Sequence, residues 1–122
     1  MLGCNPSDKK LFTKLSSYKT GIKFKNLLKE TDEFNVLTYG YLYNGGGIAI
    51  GDVNNDGLED IYFTGNMVAS RLYINQGDLE FKEVAKEAGV DAAGLWNTGT
   101  TMVDINGDGW LDIFVCRSAA KN

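Results

Sequence analysis

The chain contains no histidine, one proline and two cysteines in 122 residues. Without an imidazole there is no Ser-His or Cys-His catalytic pair and no His-ligated metal site within these residues. Two thiols are too few for a disulfide scaffold or a four-thiolate zinc site. Basic residues are also scarce. Twelve Lys and Arg stand against sixteen Asp and Glu, for a net charge of −4, the opposite of the usual balance in a nucleic-acid module. No stretch approaches the roughly 20 apolar residues that a membrane-crossing helix needs. What is present is 43% hydrophobic, too apolar for a disordered chain and long enough for one small domain with a modest core.

Charge is distributed unevenly. Residues 1–29 hold seven lysines and a single acid, Asp8, whereas residues 30–122 hold five bases and fifteen acids. The lysine-rich start reads as a solvated N-terminal tether over residues 1–20. Six of the ten aspartates fall in two short clusters, and these clusters are the most informative feature of the chain.

The clusters belong to an internal repeat. Residues 46–66 read GGIAIGDVNNDGLEDIYFTGN and residues 98–118 read TGTTMVDINGDGWLDIFVCRS, an offset of 52 positions. Identity holds at Gly47/Gly99, Asp52/Asp104, Asn54/Asn106, Asp56/Asp108, Gly57/Gly109, Asp60/Asp112 and Ile61/Ile113. Each copy reads as strand, tight loop, strand, because short β-branched and aromatic runs flank the Asx- and Gly-rich centre. Two further strands are expected between the copies, at Arg71–Ile74 and Leu79–Val84, joined by a turn at Asn75–Asp78. Lys86 to Trp96 is then a connecting loop. Four short strands in a period of about 50 residues is the content of one propeller blade.

The expected fold class is therefore all-β: a fragment of a β-propeller, about one and a half four-stranded blades with Ca-binding hairpin loops. Residues 47–97 form the complete blade and residues 98–122 the first half of the next. Propellers close with about 4–8 blades, so the remaining strands are expected from a longer protein or from other chains. Residues 21–46 are expected to hold N-terminal strands, because Ile22, Phe24 and Leu28, and then Leu37, Tyr39, Tyr41 and Tyr43, sit at even spacing. These strands could form either a partial preceding blade or a closing strand.

The repeated core is Asp-x-Asn-x-Asp-Gly-x-x-Asp. Oxygen side chains at positions 1, 3 and 5 converge when such a loop winds around one point, and glycine at position 6 permits the turn. Position 7, Leu58 or Trp110, can offer a backbone carbonyl, and position 9, Asp60 or Asp112, a further carboxylate. Two carboxylates about 4 Å apart repel by roughly 4 kcal/mol at an effective dielectric near 20, so converging acids call for a cation. All-oxygen donors suit a hard ion, and a flexible loop suits calcium better than magnesium. An EF-hand is disfavoured, because position 12 is Phe63 or Val115 rather than glutamate and the flanks are strand-like. The bland alternative is that Asp, Asn and Gly are ordinary turn residues; two matched copies weigh against it.

These segments resemble the FG-GAP repeats, also called VCBS repeats, of β-propellers, to which the integrin α-subunit headpiece repeats are related. The intervening RLYINQGDLEFKEVAKEAGV is similar to that of bacterial relatives of cartilage acidic protein, the group carrying the ASPIC/UnbV tail domain. The Phe-Gly and Gly-Ala-Pro of the repeat's name are absent here. The resemblance implies a calcium-stabilised propeller outside the cytoplasm. It implies about two Ca²⁺ ions, one held by Asp52, Asn54, Asp56, Leu58 and Asp60 and one by Asp104, Asn106, Asp108, Trp110 and Asp112.

Met1-Leu2-Gly3-Cys4 resembles the end of a bacterial lipoprotein signal, which makes Cys4 a candidate lipidation site and the protein an exported one, in the periplasm or at the cell surface. Cys116 is expected to be a buried small hydrophobe, and Trp96, Trp110 and the tyrosine stripe to pack in the core or between blades. Glu30, Asp32 and Glu33 read as a solvated loop. With no catalytic residue assignable, the expected function is non-enzymatic: a calcium-stabilised binding or adhesion module for extracellular carbohydrate or protein, not for nucleic acid. The alternative is part of an enzyme, or an accessory to one, acting on extracellular polysaccharide.

Overall fold

Strands form where the β-branched and aromatic runs lie, and turns form where Asx and Gly interrupt them. The computed structural model describes residues 11–118; Cys4 lies outside them. One helical turn, α1 (Ser17–Thr20), precedes six strands: β1 (Ile48–Gly51), β2 (Asp60–Phe63), β3 (Arg71–Asn75), β4 (Phe81–Glu83), β5 (Asn97–Val103) and β6 (Asp112–Arg117). The first four make an antiparallel meander in the order β1-β2-β3-β4, and β5 and β6 pair as a separate antiparallel hairpin. Ile50 opposes Ile61 in the first hairpin, and Met102 opposes Ile113 in the second, so the two copies of the repeat share one register.

The core lies between the meander and the β5–β6 hairpin. Tyr62, Leu72 and Ala85 are its buried centre, with Met102, Ile113 and Val115 packed against them from the second hairpin. The Tyr62 hydroxyl donates to the Val90 carbonyl at 2.6 Å, so its polar end is satisfied. Close approach of β1 to β5 depends on Gly47. A Cβ there would sit 2.7 Å from the Thr100 nitrogen and 3.0 Å from Gly99 backbone atoms. The backbones touch where the repeat places glycine in both copies, and the Gly47 N–H donates to the Thr98 carbonyl at 2.7 Å.

Several expectations are corrected. No strand forms over residues 21–46. Residues 22–28 do alternate, with Ile22, Phe24, Asn26 and Leu28 half-buried, but they lie against side chains rather than in a ladder. The Lys23 N–H donates to the Tyr73 hydroxyl at 3.2 Å, Phe24 stacks on Phe63 at 5.0 Å, and the Asn66 N–H donates to Asn26 Oδ1 at 3.0 Å. The segment is a strap held by the meander's residues. The tyrosine stripe falls in consecutive turns, so its even spacing carries no strand meaning. Leu42 between them is fully buried, whereas Tyr41 and Tyr43 are exposed. The second strand of the β3–β4 hairpin starts at Phe81 rather than Leu79, because Asp78 and Leu79 take left-handed φ of 50° and 60°. The expected tether ends in helix α1, whose Ser16 side chain accepts from the Lys19 N–H and whose C-cap is Gly21. Cys116 is exposed, because β6 pairs with β5 on one side and has no second strand beside it among the described residues.

Candidate metal centre

The two aspartate loops close the β1–β2 and β5–β6 hairpins and share a common set of hydrogen bonds, to which the second adds one from the Gly107 N–H to Asp104 Oδ1 at 2.7 Å. Asp56 N–H donates to Asp52 Oδ1 at 3.1 Å and to Asn54 Oδ1 at 3.1 Å. Asp108 N–H does the same to Asp104 Oδ1 at 3.1 Å and Asn106 Oδ1 at 3.0 Å. Gly57 N–H reaches Asp52 Oδ2 at 2.7 Å, and Gly109 N–H reaches Asp104 Oδ2 at 2.8 Å. Leu58 N–H and Trp110 N–H each donate to the position-5 carboxylate, Asp56 or Asp108, at 2.9 Å. The amides of Asn54 and Asn106 donate to the same two aspartates at 2.8 and 2.9 Å. Positions 1 and 3 thus turn their oxygens onto one N–H, which gathers oxygen donors on the inside of the loop. The winding needs left-handed φ at position 6, supplied by Gly57 (84°) and Gly109 (87°).

Position 9 behaves differently in the two copies. Asp60 is fully buried, and each of its oxygens accepts a backbone N–H: Val53 to Oδ2 at 3.1 Å and Asn75 to Oδ1 at 2.8 Å. It stitches the loop to β3, a role that the repeat pattern did not signal. Asp112 is exposed and accepts the Ile105 N–H at 3.1 Å. Among the described residues, no three carboxylate or thiolate groups gather closely enough to hold an ion by themselves. The converging set is mixed, with two carboxylates and an amide oxygen in each loop. That all-oxygen chemistry fits a hard divalent cation completed by carbonyl and water.

The loop charges are set by opposite causes. Burial pushes the Asp60 carboxyl above the usual aspartate value; the N–H groups of Asn75 and Val53 oppose this, and the Asp56 and Asp52 charges add to it. A raised value favours the fold at acid pH, and that contribution is lost as pH rises through it. Asp104 is held below the usual value, foremost by the Gly109 N–H, with Gly107 and Asp108 adding. Its contribution is present above the ordinary aspartate range and lost as pH falls through the depressed value.

Of the two tryptophans, Trp96 is 3% exposed and packs edge-on against Phe34 and Tyr39, both at 5.3 Å, as expected. Trp110 is 52% exposed, which corrects the expectation of packing: it sits at the loop tip, where no described element covers it. Glu30, Asp32 and Glu33 lie in an exposed turn, as a solvated run should. Sequence reasoning missed the asparagines that hold the loops' surroundings. Asn66, nearly fully buried, donates to the carbonyls of Gly45 and Asn97 at 3.2 and 2.8 Å, and Asn75 ties Glu59 and Asp60 to β3. A buried amide within a Gly- and Asn-rich run looks like any turn residue until its partners are known.

The FG-GAP-like repeat family model matches residues 52–115, from the first residue of the first loop to beyond the second. Cartilage acidic protein 1 of Xenopus tropicalis is 36% identical over 72 residues, which are 58% of this chain and 11% of that protein. The chain therefore spans about a tenth of the length of this relative. No solved structure matches. With the match covering just over half of the residues, and a four-stranded antiparallel meander as the β-propeller blade, the chain belongs to the FG-GAP-like repeat family.

Proposed function

We propose that each loop holds one calcium ion and that the protein is a calcium-stabilised propeller module, exported and used for binding or adhesion rather than catalysis. The observation that carries the metal reading is that in both loops the oxygens of positions 1 and 3 converge on the position-5 N–H. The first ion would be held by Asp52, Asn54, Asp56, the Leu58 carbonyl and Asp60, and the second by Asp104, Asn106, Asp108, the Trp110 carbonyl and Asp112. Calcium would supply positive charge against the loop carboxylates, and its binding free energy would then be folding free energy. The chain's own residues do the positioning: backbone N–H groups orient the Asp52 and Asp104 carboxylates, and Asp60 anchors the first hairpin to β3.

Three features support an extracellular binding role. Loops that take a hard cation on a few exposed oxygens suit a calcium-rich exterior, where extracellular modules bind the ion weakly. The relative is named for cartilage. Trp110 presents an exposed ring of the kind that stacks on sugars. Cys4 would supply a lipid anchor at the cell surface or periplasm. Partners are then Ca²⁺ and an extracellular carbohydrate or protein.

Thermal melts test the metal reading. Calcium should raise Tm by several degrees, chelator should reverse the rise, and Asp108→Ala should remove part of it. Identical melts with saturating calcium and with chelator overturn the reading.

A further inference from the structure

Asn55 joins the two loops. Its Nδ2 donates to the Gly109 carbonyl at 3.1 Å, across the junction between the meander and the second hairpin. Asn55 is position 4 of the first loop, flanked by Asn54 and Asp56. Gly109 is position 6 of the second loop and precedes Trp110. The second copy places Gly107 at position 4, and the two residues have the same handedness, with φ of 56° and 75°. The backbone at this point is therefore met by glycine in one loop and by asparagine in the other. The asparagine side chain adds the bond to the neighbouring loop. The peptides on either side of Gly109 are consequently both held, the preceding one through the Gly109 N–H by Asp104 Oδ2 at 2.8 Å and the following one, which leads into Trp110, through the Gly109 carbonyl by Asn55.

We propose that Asn55 couples the loops, so that a divalent cation in the first raises the affinity of the second for its own. The proposal rests on the calcium reading above. An ion held by Asn54 and Asp56 fixes the residue between them. A fixed Asn55 restrains the Gly109 peptide and, through it, the backbone leading to the Trp110 carbonyl. Part of the ordering that the second ion would otherwise impose is then already complete, which is positive cooperativity through lost conformational freedom. Linkage makes the effect mutual: the second ion tightens the first loop by the same factor.

Trp110 provides a local readout, since it sits in the second loop while Leu58 occupies the same place in the first, and Trp96 is buried against Phe34 and Tyr39. Calcium is titrated into the chelator-treated chain, followed by tryptophan emission and by calorimetry, for the native sequence, Asn55→Gly, Asp56→Ala and the double variant. Asn55→Gly should weaken calcium binding at the second loop about fivefold, the low end of the range for coupled sites. It should retain a cooperative melt in chelator, because glycine already takes this conformation at position 107. Asp56→Ala, which disables the first loop, should weaken the second by a similar factor, and the double variant should add nothing further. Equal second-loop affinity in the native chain and Asn55→Gly overturns the coupling and leaves the calcium reading standing. No heat and no emission change in the native chain overturns both.

Discussion

At the scale of single residues, identical letters in the repeat do unequal work. Asp60 and Asp112 occupy the same motif position, yet one is sealed against β3 and the other is exposed. Removing the Asp60 carboxylate leaves the Val53 and Asn75 N–H groups without their acceptors. Unmade buried bonds of this kind cost about 1–3 kcal/mol each, and relief of a buried charge offsets part of that. In chelator, Asp60→Ala should therefore lower unfolding stability by roughly 2 kcal/mol, whereas Asp112→Ala should have a clearly smaller effect. Urea midpoints measured without calcium separate the two; equal losses would refute the structural role of Asp60.

At the scale of elements, the decisive contact is that of β1 with β5. Strands of neighbouring hairpins approach this closely because Gly47 presents no side chain to the backbone of Gly99 and Thr100. Gly47→Ala would place a methyl group 2.7 Å from the Thr100 nitrogen, and backbone cannot move aside as a flexible side chain can. The expected cost is about 1–3 kcal/mol, typical of overpacking. Gly77→Ala provides a comparison in which the penalty comes from a left-handed φ of 89° with nothing nearby to clash. Thermal melts of both variants should show the Gly47 change parting the hairpins: its near-ultraviolet signal from Tyr62 should fall before the far-ultraviolet signal, while Gly77→Ala melts as one unit. Coincident transitions for Gly47→Ala would contradict this.

At the scale of the whole molecule, protection is expected to be uneven. β2 and β3 are paired on both sides and carry the buried Tyr62 and Leu72. Among the described residues, each strand of the β5–β6 hairpin has one partner, and the hairpin exposes Val103 and Phe114. Hydrogen exchange should thus be slowest across residues 60–75 and faster across 98–117, because local opening follows buried contact and paired neighbours. Equal protection would mean that the two sheets open as one cooperative unit.

The sequence by itself determined the repeat, the strand–loop–strand character of each copy and the positions of the loop donors. These depend on local chemistry: Asx side chains bond to backbone two or more residues ahead, glycine takes left-handed φ, and β-branched runs extend. Only the tertiary structure decided the strap over residues 22–28, the exposure of Trp110 and Cys116, the double anchoring of Asp60 and the Asn55–Gly109 bond. Even spacing at Ile22 and Phe24 records alternate burial correctly, but it does not distinguish a ladder from a strap resting on side chains. Burial and partnership depend on what the chain brings alongside from 40 or 50 residues away, and no local pattern carries that information.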